Sequence, residues 1–542
     1  MPSYSPRAGR PPISQTTAGP VDPGPLPGYP VDPGPLPGHP ADPADPVDPP
    51  SDTPNPPAST PANPPPGNPI TTWLGRGLAL LTAVGGIVAL ILAWRMNALP
   101  GSWFVGFALA AVVMIAAVGT GLWLTKAPPH WLRFTALVVV ALIGIAAEAA
   151  TIKITTDVNQ FFSQTEPILP TQDYAVVALP QHDPKADSLT GETIGLLDSE
   201  PNKAAVEEHL SSKFDAEFSS CADPTALRTE LENGRIAAAV LDSNLYEAYL
   251  EADPEFYTSL QVIYTFDIQA GSIAKPVPPR AELPPGQPFI VYISGIDTSG
   301  PVSRVSRSDV NMLMVVNPDT AKVLLVNTPR DYYVQLHGTT GTKDKLTHAG
   351  IYGVQMSIDT LQDLYGINID YYARVNFSSL IKMVDLVGGI DVDSPQAFTS
   401  YHGKFDFVQG MNHMNGEQAL GFARERYAFT SGDRMRGKNQ QLVIEGLIDK
   451  ASDRSNLLRY SELLDALADA MEMNVPQDQV TNLVKQRLAD GKSWDVQSVS
   501  VDGAGSSQPT YSMGAMKLYV MIPDQATIDA AKAQIDQTLS GP

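Results

Sequence analysis

Three long apolar runs dominate the pattern of hydrophobic and polar positions along the chain. They occupy residues 77–94, 103–125 and 134–152, and each is close to the ~20 residues that a helix needs to cross a lipid bilayer. Tryptophans stand at their ends, where an amphipathic ring favours the membrane interface. These are Trp73, Trp94, Trp103, Trp123 and Trp131. The pattern therefore predicts three transmembrane helices within residues 73–152.

The basic residues around these runs predict their orientation. Arg76, Lys126 and Arg133 flank one side of the predicted spans, whereas Arg95 and Lys153 flank the other. Because positive residues accumulate in cytoplasmic loops, this excess places the N-terminus in the cytoplasm. Three crossings then carry everything after residue 153 to the outside, so we expect a multi-pass protein of the cell membrane.

Residues 1–72 have the composition of a disordered cytoplasmic tail. They are rich in proline, and the unit PVDPGPLPG occurs at 20–28 and again at 30–38. Such a stretch lacks the apolar groups that would offset the entropy lost on ordering, and it favours extended polyproline conformations. A docking arm for proline-binding partners is the alternative interpretation.

After the predicted spans, strand-like and helix-like patterns alternate over residues 168–270. Short apolar runs such as YAVVAL, TIGLL and IAAAVLD are separated by helix-like segments such as NKAAVEEHLSSKFDAEF. This alternation predicts a small α/β accessory domain. A proline-rich stretch at 271–288 follows, and we predict that it is a linker.

From Phe289 onwards the apolar runs become longer. FIVYISGI, VNMLMVV and KVLLVN are nearly continuous, as expected for strands that are buried on both faces of a sheet. VQMSIDTLQDLYG and SSLIKMVDLVGG have apolar residues three and four positions apart, which is typical of helices. SWDVQSVSV and YVMIPDQATIDAAKAQIDQTL predict a last strand and a closing helix. We therefore predict that residues 289–542 form one α/β/α-layered domain with a mixed central sheet.

The bulk composition narrows the choice of function. The chain has 542 residues and a formal net charge of −22, which argues against a nucleic-acid-binding protein because such proteins carry a basic face. Cys221 is the only cysteine, so the chain can form neither an intramolecular disulfide nor a cysteine-based zinc or redox site. Any bound anion must therefore be held by a local cluster of positive charge.

Charged residues stand where the predicted strands of the 289–542 domain begin or end. Asp297 follows the strand FIVYISGI, and Arg307 and Asp309 precede VNMLMVV. Arg330 and Asp331 follow KVLLVN. Ligands of open α/β sheets usually bind at strand ends. Each residue taken alone fits a turn, a helix cap or a surface ion pair, so the prediction depends on their combination.

A basic segment at residues 421–441, GFARERYAFTSGDRMRGKNQQ, adds to this combination. It contains the cations Arg424, Arg426, Arg434, Arg436 and Lys438 and the carboxylates Glu425 and Asp433. An amphipathic helix with solvated ion pairs is the alternative interpretation. Arginine binds phosphate oxygens through its planar fork, and Mg²⁺ accepts one or two carboxylates together with phosphate oxygens. The mixture therefore predicts a diphosphate site.

The order and spacing of these motifs resemble the LytR–CpsA–Psr family of bacterial cell-envelope phosphotransferases. The matching motifs lie within residues 289–452 and are GIDTSG, RSD, NTPRDYYV, KLTHAG, YYARVNF, LVGGIDVD, and RER followed by DRMRGKNQQ. The three predicted spans and the accessory domain resemble the capsule-attaching members. Two positions differ from the family pattern, because His348 stands where asparagine is expected and Lys438 stands where arginine is common.

The resemblance implies an enzyme that transfers a polyprenyl-diphosphate-linked glycopolymer, such as a capsular polysaccharide or a teichoic acid, to a peptidoglycan hydroxyl. The reaction would form a phosphodiester and release polyprenyl phosphate. The resemblance also implies Mg²⁺ as the cofactor, with Mn²⁺ as an alternative, and a long apolar pocket for the polyprenyl chain. Apolar residues of FIVYISGI, VNMLMVV and the helices around Ile381 and Leu442 are candidates for its lining, with ordinary core as the alternative. The partners would be the lipid-linked glycan, peptidoglycan and the bilayer, without nucleic acid.

The same resemblance implies roles for individual residues. The Mg²⁺-linked aspartates would be Asp297 and Asp309. The catalytic residues would be Asp297, Asp309, Arg330, Arg424 and Arg426. The diphosphate-binding residues would be Arg307, Arg330, Arg424, Arg426, Arg436 and Gln440. The supporting residues would be Asp433, Asp331 and Lys438, and either Asp309 or Asp331 is the candidate acceptor of the hydroxyl proton.

Two other functions stay open at this point. A hydrolase could use the same residues to cleave lipid diphosphates with water. A non-enzymatic envelope receptor or transcriptional attenuator is the other alternative, although the predicted cytoplasmic part contains no basic module for binding DNA.

Overall fold

The computed structural model describes most of the chain after residue 68. The described residues are 69–97, 99–124, 131–165, 171–181, 189–269, 283–284, 286–296, 302–468 and 470–541. The predicted tail at 1–72 and the predicted linker at 271–288 lie almost entirely outside these ranges. Asp297 also lies outside the described residues.

Three helices correspond to the three apolar runs. They are α1 (Pro69–Met96), α2 (Gly101–Leu124) and α3 (Trp131–Gln164). By length and composition, all three are able to cross a membrane.

The helix α3 continues beyond its apolar part and packs on the following domain. Phe161, near its C-terminal end, is fully buried and packs against Ala468 and Met473. The carbonyl oxygen of Thr165 accepts a hydrogen bond from the backbone N–H of Met473 at 2.9 Å. The helix is thereby attached to the domain by both apolar packing and a backbone hydrogen bond.

The described residues between α3 and residue 269 form a five-stranded sheet with four α-helices. Its strands are β1 (Thr171–Ala178), β2 (Thr193–Leu197), β3 (Glu217–Cys221), β4 (Ala238–Asp242) and β5 (Gln261–Gln269). Its helices are α4 (Lys203–Phe214), α5 (Pro224–Glu232), α6 (Tyr246–Ala252) and α7 (Pro254–Ser259). The strand order is β3-β2-β4-β1-β5, so this segment is a small α/β unit, as the sequence predicts. We call the whole unit, with its helices, the accessory sheet.

One helix of this unit is shorter than its sequence predicts. The segment DAEF was expected to continue the helix NKAAVEEHLSSKF, but α4 ends at Phe214 and Asp215 adopts a left-handed conformation (φ 48°). The residues that follow form β3, which pairs in parallel with β2. Pairing with the sheet therefore overrides the helical pattern.

The second sheet has six strands in the order β16-β11-β6-β7-β8-β17. Its strands are β6 (Phe289–Ile296), β7 (Ser308–Asn317), β8 (Lys322–Thr328), β11 (Tyr371–Val375), β16 (Met471–Met473) and β17 (Asp495–Ser500). The pairs β6–β7, β7–β8 and β11–β16 are antiparallel, whereas β11–β6 and β17–β8 are parallel. The predicted mixed central sheet is confirmed.

Helices cover both faces of this central sheet. On one face, Ile290 and Tyr292 pack in the core formed by α8 (Leu346–Ala349), α9 (Val354–Tyr365) and α16 (Gln525–Ser540). On the other face, the alternate residues Phe289 and Val291 pack towards α12 (Asp433–Ser452) and α15 (Gln477–Asp490). The period-2 alternation of a strand separates the two sets. The predicted α/β/α layering is confirmed.

The remaining elements form smaller units around the central sheet. The helices are α10 (Phe377–Leu386), α11 (Gly416–Arg424), α13 (Arg454–Leu458) and α14 (Tyr460–Leu467). The short strands are β9 (Tyr333–Val334), β10 (Asp344–Lys345), β12 (Ile390–Ser394), β13 (Phe398–Thr399), β14 (Asp406–Phe407) and β15 (Gly410–Met414). A hairpin of β18 (Gly503–Thr510) and β19 (Gly514–Pro523) was not predicted, because its first strand, GAGSSQPT, is rich in small residues that are depleted in strands.

Candidate active site

An apolar cavity of about 530 Å³ lies between the central sheet and the helices α10, α11, α12 and α15. Its floor includes Phe289, Val291 and Ile293, the alternate residues of β6. Further apolar lining comes from Val310, Met314, Ala373, Leu380, Met383, Val443, Ile444, Leu447, Met471 and Met473. The strands FIVYISGI and VNMLMVV and the helices near Ile381 and Leu442 thus contribute to one cavity.

A second cavity, of about 760 Å³, is lined mainly by polar and charged residues. We refer to the two spaces as the apolar cavity and the polar cavity. Five of the described residues line both, and we call them the shared wall. They are Asp309, Arg330, Arg426, Arg436 and Gln440. Charged groups therefore separate an apolar compartment from a polar one.

Asp309 and Arg330 meet because β7 and β8 are antiparallel neighbours. Asn311 pairs with Thr328 in this register, so the start of β7 lies beside the end of β8. Arg330 Nη1 donates a hydrogen bond to Asp309 Oδ2 at 2.6 Å, and Thr347 Oγ1 donates to Asp309 Oδ1 at 3.1 Å. Both carboxylate oxygens of Asp309 therefore have a donor.

The surrounding arginines keep Asp309 ionised. Burial acts to raise the pKa of this carboxyl group, but the positive charges of Arg330, Arg307 and Arg436 outweigh burial and lower the pKa to about 2. The shared wall then contains three cations and one anion, which gives it a net charge of +2. A wall of this charge attracts a phosphate-bearing ligand.

Asp331, which follows Arg330 in the sequence, also lines the polar cavity. Its side chain is 8% exposed, and its Oδ1 lies 3.3 Å from Nζ of Lys345. This oxygen has no hydrogen-bond partner of good geometry among the described residues. The same ammonium group lies 3.0 Å from Oε2 of Glu251, so one lysine stands between two carboxylates.

The helix α12 approaches the end of β8 closely because of Gly437. A Cβ atom at this position would lie 2.4 Å from Nδ2 of Asn327, so a side chain would push the helix away from the strand. Gln441 fixes the helix further, because its Nε2 donates hydrogen bonds to the carbonyl oxygens of Leu325 and Val499. The close approach brings the first turns of α12 to the shared wall.

The face of α12 decides which of its charged residues reach the cavities. Asp433, Arg436 and Gln440 are three and four residues apart and share one face, and Asp433 Oδ2 lies 3.3 Å from Arg436 Nη2. Lys438 is two residues from both Arg436 and Gln440. It is exposed and lines neither cavity. The structure thus brings Asp433 to the site and does not bring Lys438 there.

Arg424 and Arg426 approach the apolar cavity from the end of α11. The guanidinium of Arg424 lies 4.0 Å from the ring centroid of Phe377 and lines the apolar cavity. Arg426 donates from Nη2 to the hydroxyl of Tyr427 at 2.7 Å. Glu425, between the two arginines, is buried and accepts the backbone N–H groups of Tyr427 and Ala428, so it stabilises the loop.

Arg307 completes the set of predicted residues that the structure describes. It lies just before β7 and lines the polar cavity. Asp297, the other predicted metal-linked aspartate, lies outside the described residues. All other predicted site residues except Lys438 line at least one of the two cavities.

His348, which differs from the expected asparagine, is a buried structural residue. Its Nδ1 lies 2.7 Å from Asp344 Oδ1 and 2.9 Å from Ser512 Oγ. Asp344 Oδ2 accepts the backbone N–H of Ser512. The histidine therefore ties α8 to the β18–β19 hairpin and lies in neither cavity lining.

The chain matches the model of the LytR_cpsA_psr family over residues 266–535. It is 35% identical over 226 residues to the polyisoprenyl-teichoic acid–peptidoglycan teichoic acid transferase TagU of Enterococcus faecalis, covering 41% of this chain and 72% of that protein. This chain belongs to the LytR–CpsA–Psr family. The TagU of Bacillus subtilis is 34% identical over 212 residues, with 39% of this chain and 63% of that protein covered. A crystal structure of TagV from B. subtilis matches with a TM-score of 0.41 and 28% identity, covering 47% of this chain and 99% of that chain.

Of the described residues that line the two cavities, all but one lie within the matched residues. Glu251, on α6 of the accessory sheet, precedes residue 266 and lines the polar cavity. The sequence did not indicate Glu251, Tyr519 or Asp502 as cavity residues, because each is far in sequence from the motifs. Lys345 begins the motif KLTHAG and was open to recognition for that reason.

Proposed function

We propose that this chain transfers a glycopolymer from a polyprenyl diphosphate carrier to a hydroxyl group of peptidoglycan. One observation carries the proposal: the apolar cavity ends at a cationic shared wall, and the polar cavity begins there. A lipid-linked glycan has the same order of parts, namely an apolar chain, a diphosphate and a polar head. The names of the relatives, which are teichoic acid transferases, supply the class of reaction.

The shared wall binds the diphosphate in this proposal. Arg330, Arg426 and Arg436 present planar forks that pair with phosphate oxygens, and the net charge of +2 balances a doubly charged diphosphate. Arg424 extends the cluster on the apolar side, and Arg307 extends it on the polar side. The polyprenyl chain then occupies the apolar cavity.

The acceptor hydroxyl attacks the phosphorus that carries the glycan. Its oxygen forms the new P–O bond, the bond to the bridging oxygen breaks, and polyprenyl phosphate leaves with that electron pair. The arginines of the shared wall stabilise the negative charge on the leaving phosphate. Phosphoryl transfer depends chiefly on such positioning and electrostatic stabilisation.

Asp331 is the better of the two candidate acceptors for the hydroxyl proton. Asp309 is ion-paired with Arg330, has a pKa of about 2 and has a donor on each oxygen, so it is a weak base. Asp331 lines the polar cavity, and its Oδ1 is paired with Lys345 at 3.3 Å, a longer contact than the 2.6 Å pair of Asp309 with Arg330. We therefore assign the proton to Asp331.

Asp309 fits a ligand of Mg²⁺ or Mn²⁺, because it is an ionised carboxylate beside the proposed diphosphate. Mg²⁺ binds one or two carboxylates and completes its shell with water and phosphate oxygens. Asp309 and Asp297 would supply these carboxylates, with Asp297 outside the described residues. The bound ion would neutralise charge on the diphosphate.

The three apolar helices anchor the protein in the cell membrane in this proposal, with the N-terminus in the cytoplasm and residues after 153 outside. The excess of basic residues on the N-terminal side supports this orientation. Both the lipid carrier and the wall are then within reach of the site. Anchoring also raises the effective concentration of the site at the membrane surface.

A transfer assay with the full chain in lipid nanodiscs tests the proposal. A polyprenyl-diphosphate-linked teichoic acid is supplied with and without peptidoglycan fragments, and free and wall-linked polymer are separated. We expect wall-linked polymer only when peptidoglycan is present, and its loss in Arg330→Ala but not in the exposed control Asp536→Asn. Release of free polymer at the same rate without peptidoglycan would instead identify a hydrolase. If the wild-type chain neither bound nor consumed the donor, both enzymatic functions would be excluded. The non-enzymatic receptor would then be the remaining alternative.

A further inference from the structure

Among the described residues of the accessory sheet, Glu251 is the one that lines the polar cavity. Glu251 lies on α6, which packs against β19 of the C-terminal hairpin. Its Oε2 pairs with Lys345 Nζ at 3.0 Å, and its Oε1 accepts the backbone N–H of Tyr519 at 2.9 Å. Both carboxylate oxygens are therefore held by the domain that contains the shared wall.

Lys345 links Glu251 to Asp331, because its ammonium group is ion-paired with both carboxylates. Its side chain is only 4% exposed, and its ammonium lies between Glu251 and Asp331. A buried ammonium without a paired carboxylate is costly, so loss of the Glu251 charge would draw Lys345 further towards Asp331. The position and the hydrogen-bonding capacity of Asp331 therefore depend on Glu251.

Apart from the shared wall and Arg307, the charged lining of the polar cavity consists mainly of carboxylates. These remaining described residues comprise four carboxylates and two cations, which gives them a net charge of −2. The residues are Glu251, Asp331, Asp433 and Asp502 with Lys345 and Arg434. Carboxylates accept hydrogen bonds but donate none. This part of the lining therefore suits a neutral group with many hydroxyl donors better than a further phosphate.

Two features of the lining fit a ligand in this part of the cavity. Asp331 belongs to the lining, and its buried Oδ1 is ion-paired with Lys345 at 3.3 Å without a hydrogen bond of good geometry from the described residues. Tyr519, which is 49% exposed, adds an aromatic ring to the same lining. An aromatic face beside polar acceptors suits a ring with an apolar face and hydroxyl groups at its edge.

We propose that Glu251 of the accessory sheet is a positioning residue for the saccharide that the proposed function places in the polar cavity, acting through Lys345 on Asp331. The inference rests on the proposed function, because that function places a glycan next to the shared wall. The saccharide is either the first sugar of the donor or a sugar of the peptidoglycan acceptor. Both present the same chemistry, a neutral hydroxylated ring.

Binding measurements with the full chain in nanodiscs test the proposal and separate the two sources. The probes are a short-chain polyprenyl diphosphate, the same lipid carrying one N-acetylhexosamine, and a lipid-free wall disaccharide. We compare the wild-type chain with Glu251→Gln, and use Glu255→Gln as the control, because Glu255 is exposed on the neighbouring α7 and lines neither cavity. Glu251→Asp, which keeps the charge, tests for rescue.

We expect Glu251→Gln to weaken one saccharide-bearing probe about tenfold, the size of one charge-assisted hydrogen bond. Binding of the sugar-free diphosphate should be unchanged, which also shows that the variant is folded. In transfer assays the KM for the affected substrate should rise more than kcat falls, with partial recovery in Glu251→Asp. A loss confined to the sugar-bearing lipid identifies the donor sugar, and a loss confined to the disaccharide identifies the acceptor.

Equal binding of every saccharide probe by Glu251→Gln and Glu255→Gln would overturn the inference, as would no measurable saccharide contribution in the wild-type chain. Failure of the proposed function looks different, because the wild-type chain would then not bind the sugar-free diphosphate.

Discussion

The guanidinium of Arg330 lies 2.6 Å from the carboxylate of Asp309, and both side chains are largely withdrawn from solvent. The pair stands in the shared wall, where β7 begins and β8 ends. It holds one arginine in place before any ligand binds, so removal of either partner changes both the position and the charge of the wall.

Replacement of Asp309 by Asn should destabilise the chain in a pH-dependent manner. The pKa of Asp309 is about 2 in the folded protein against an ordinary value of 3.8, and this difference corresponds to about 2 kcal/mol of stability. Because the folded pKa is lowered, this stability is fully present above pH 3.8 and is lost as the pH falls towards 2. Thermal unfolding of both chains in detergent should show a larger difference at pH 7 than at pH 3. A difference that is constant with pH would contradict the ion-pair account.

Removal of divalent cations should abolish transfer if Asp309 contributes to a Mg²⁺ site. We expect chelation with EDTA to stop the reaction, and Mg²⁺ or Mn²⁺ to restore it. Asp309→Asn should need a higher Mg²⁺ concentration for half-maximal activity than the wild-type chain, whereas Asp536→Asn should not. Full activity of the wild-type chain in EDTA would remove the metal from the mechanism.

Two substitutions on the same helix test the assignment of α12. Arg436→Ala should weaken binding of a polyprenyl diphosphate about tenfold to a hundredfold, because a charge-assisted pair to phosphate is lost. Lys438→Ala removes the same charge two residues away, but Lys438 lines neither cavity, so binding should be unchanged. Calorimetric titration at low and moderate salt measures both. Similar losses in the two variants would indicate that only the general positive charge of the segment matters.

Filling the apolar cavity should discriminate between lipids by chain length. Ala373 lies on β11 and lines the cavity, and Ala373→Phe reduces the space available to the polyprenyl chain. We expect normal affinity for a short-chain diphosphate and reduced affinity for a long-chain one. Ala533→Phe, on the exposed side of α16, is the control. An equal loss for both chain lengths would point to damage from overpacking rather than to a lipid pocket.

The accessory sheet should give the chain a second pH dependence. Burial, with a smaller contribution from the charge of Glu200, raises the pKa of Asp242 to about 7. A raised acid pKa means that the folded state holds its proton where the unfolded state has lost it, so stability falls as the pH rises from 3.8 to about 7 and then levels off. Thermal midpoints of the wild-type chain should therefore decrease between pH 5 and pH 8, and the decrease should be smaller in Asp242→Asn. Parallel profiles in the two chains would count against this account.

Periodicity predicted the layers of the fold because the strands concerned are buried on both faces and the helices are amphipathic. FIVYISGI and VNMLMVV became β6 and β7 for this reason. The β18–β19 hairpin could not be predicted in the same way, because glycine, serine and proline in β18 carry no strand signal. Its stability comes from pairing with β19 and from packing on α6 and β9, which are contacts distant in sequence.

Site residues could be predicted where the motifs stand at strand ends. They could not be predicted where the face of a helix or the packing of a second domain determines which side chains line the cavities. Arg330 and Asp309 converge because two adjacent strands are antiparallel. Lys438 looked like part of the basic segment, yet helical spacing turns it away from Arg436 and Gln440. Glu251 carries no motif at all, and only the packing of α6 on the hairpin brings it to the cavity.

In the proposed membrane-anchored arrangement, the helix α3 sets the distance of the site from the bilayer. Its 34 residues extend about 50 Å, of which the hydrocarbon core takes about 30 Å. The last turns of α3 are packed on the domain through Phe161. The helix is therefore a rigid connection to the domain rather than a flexible linker. In the orientation proposed above, the site is therefore held at a fixed height over the bilayer, and the glycan strands within its reach are those nearest the membrane.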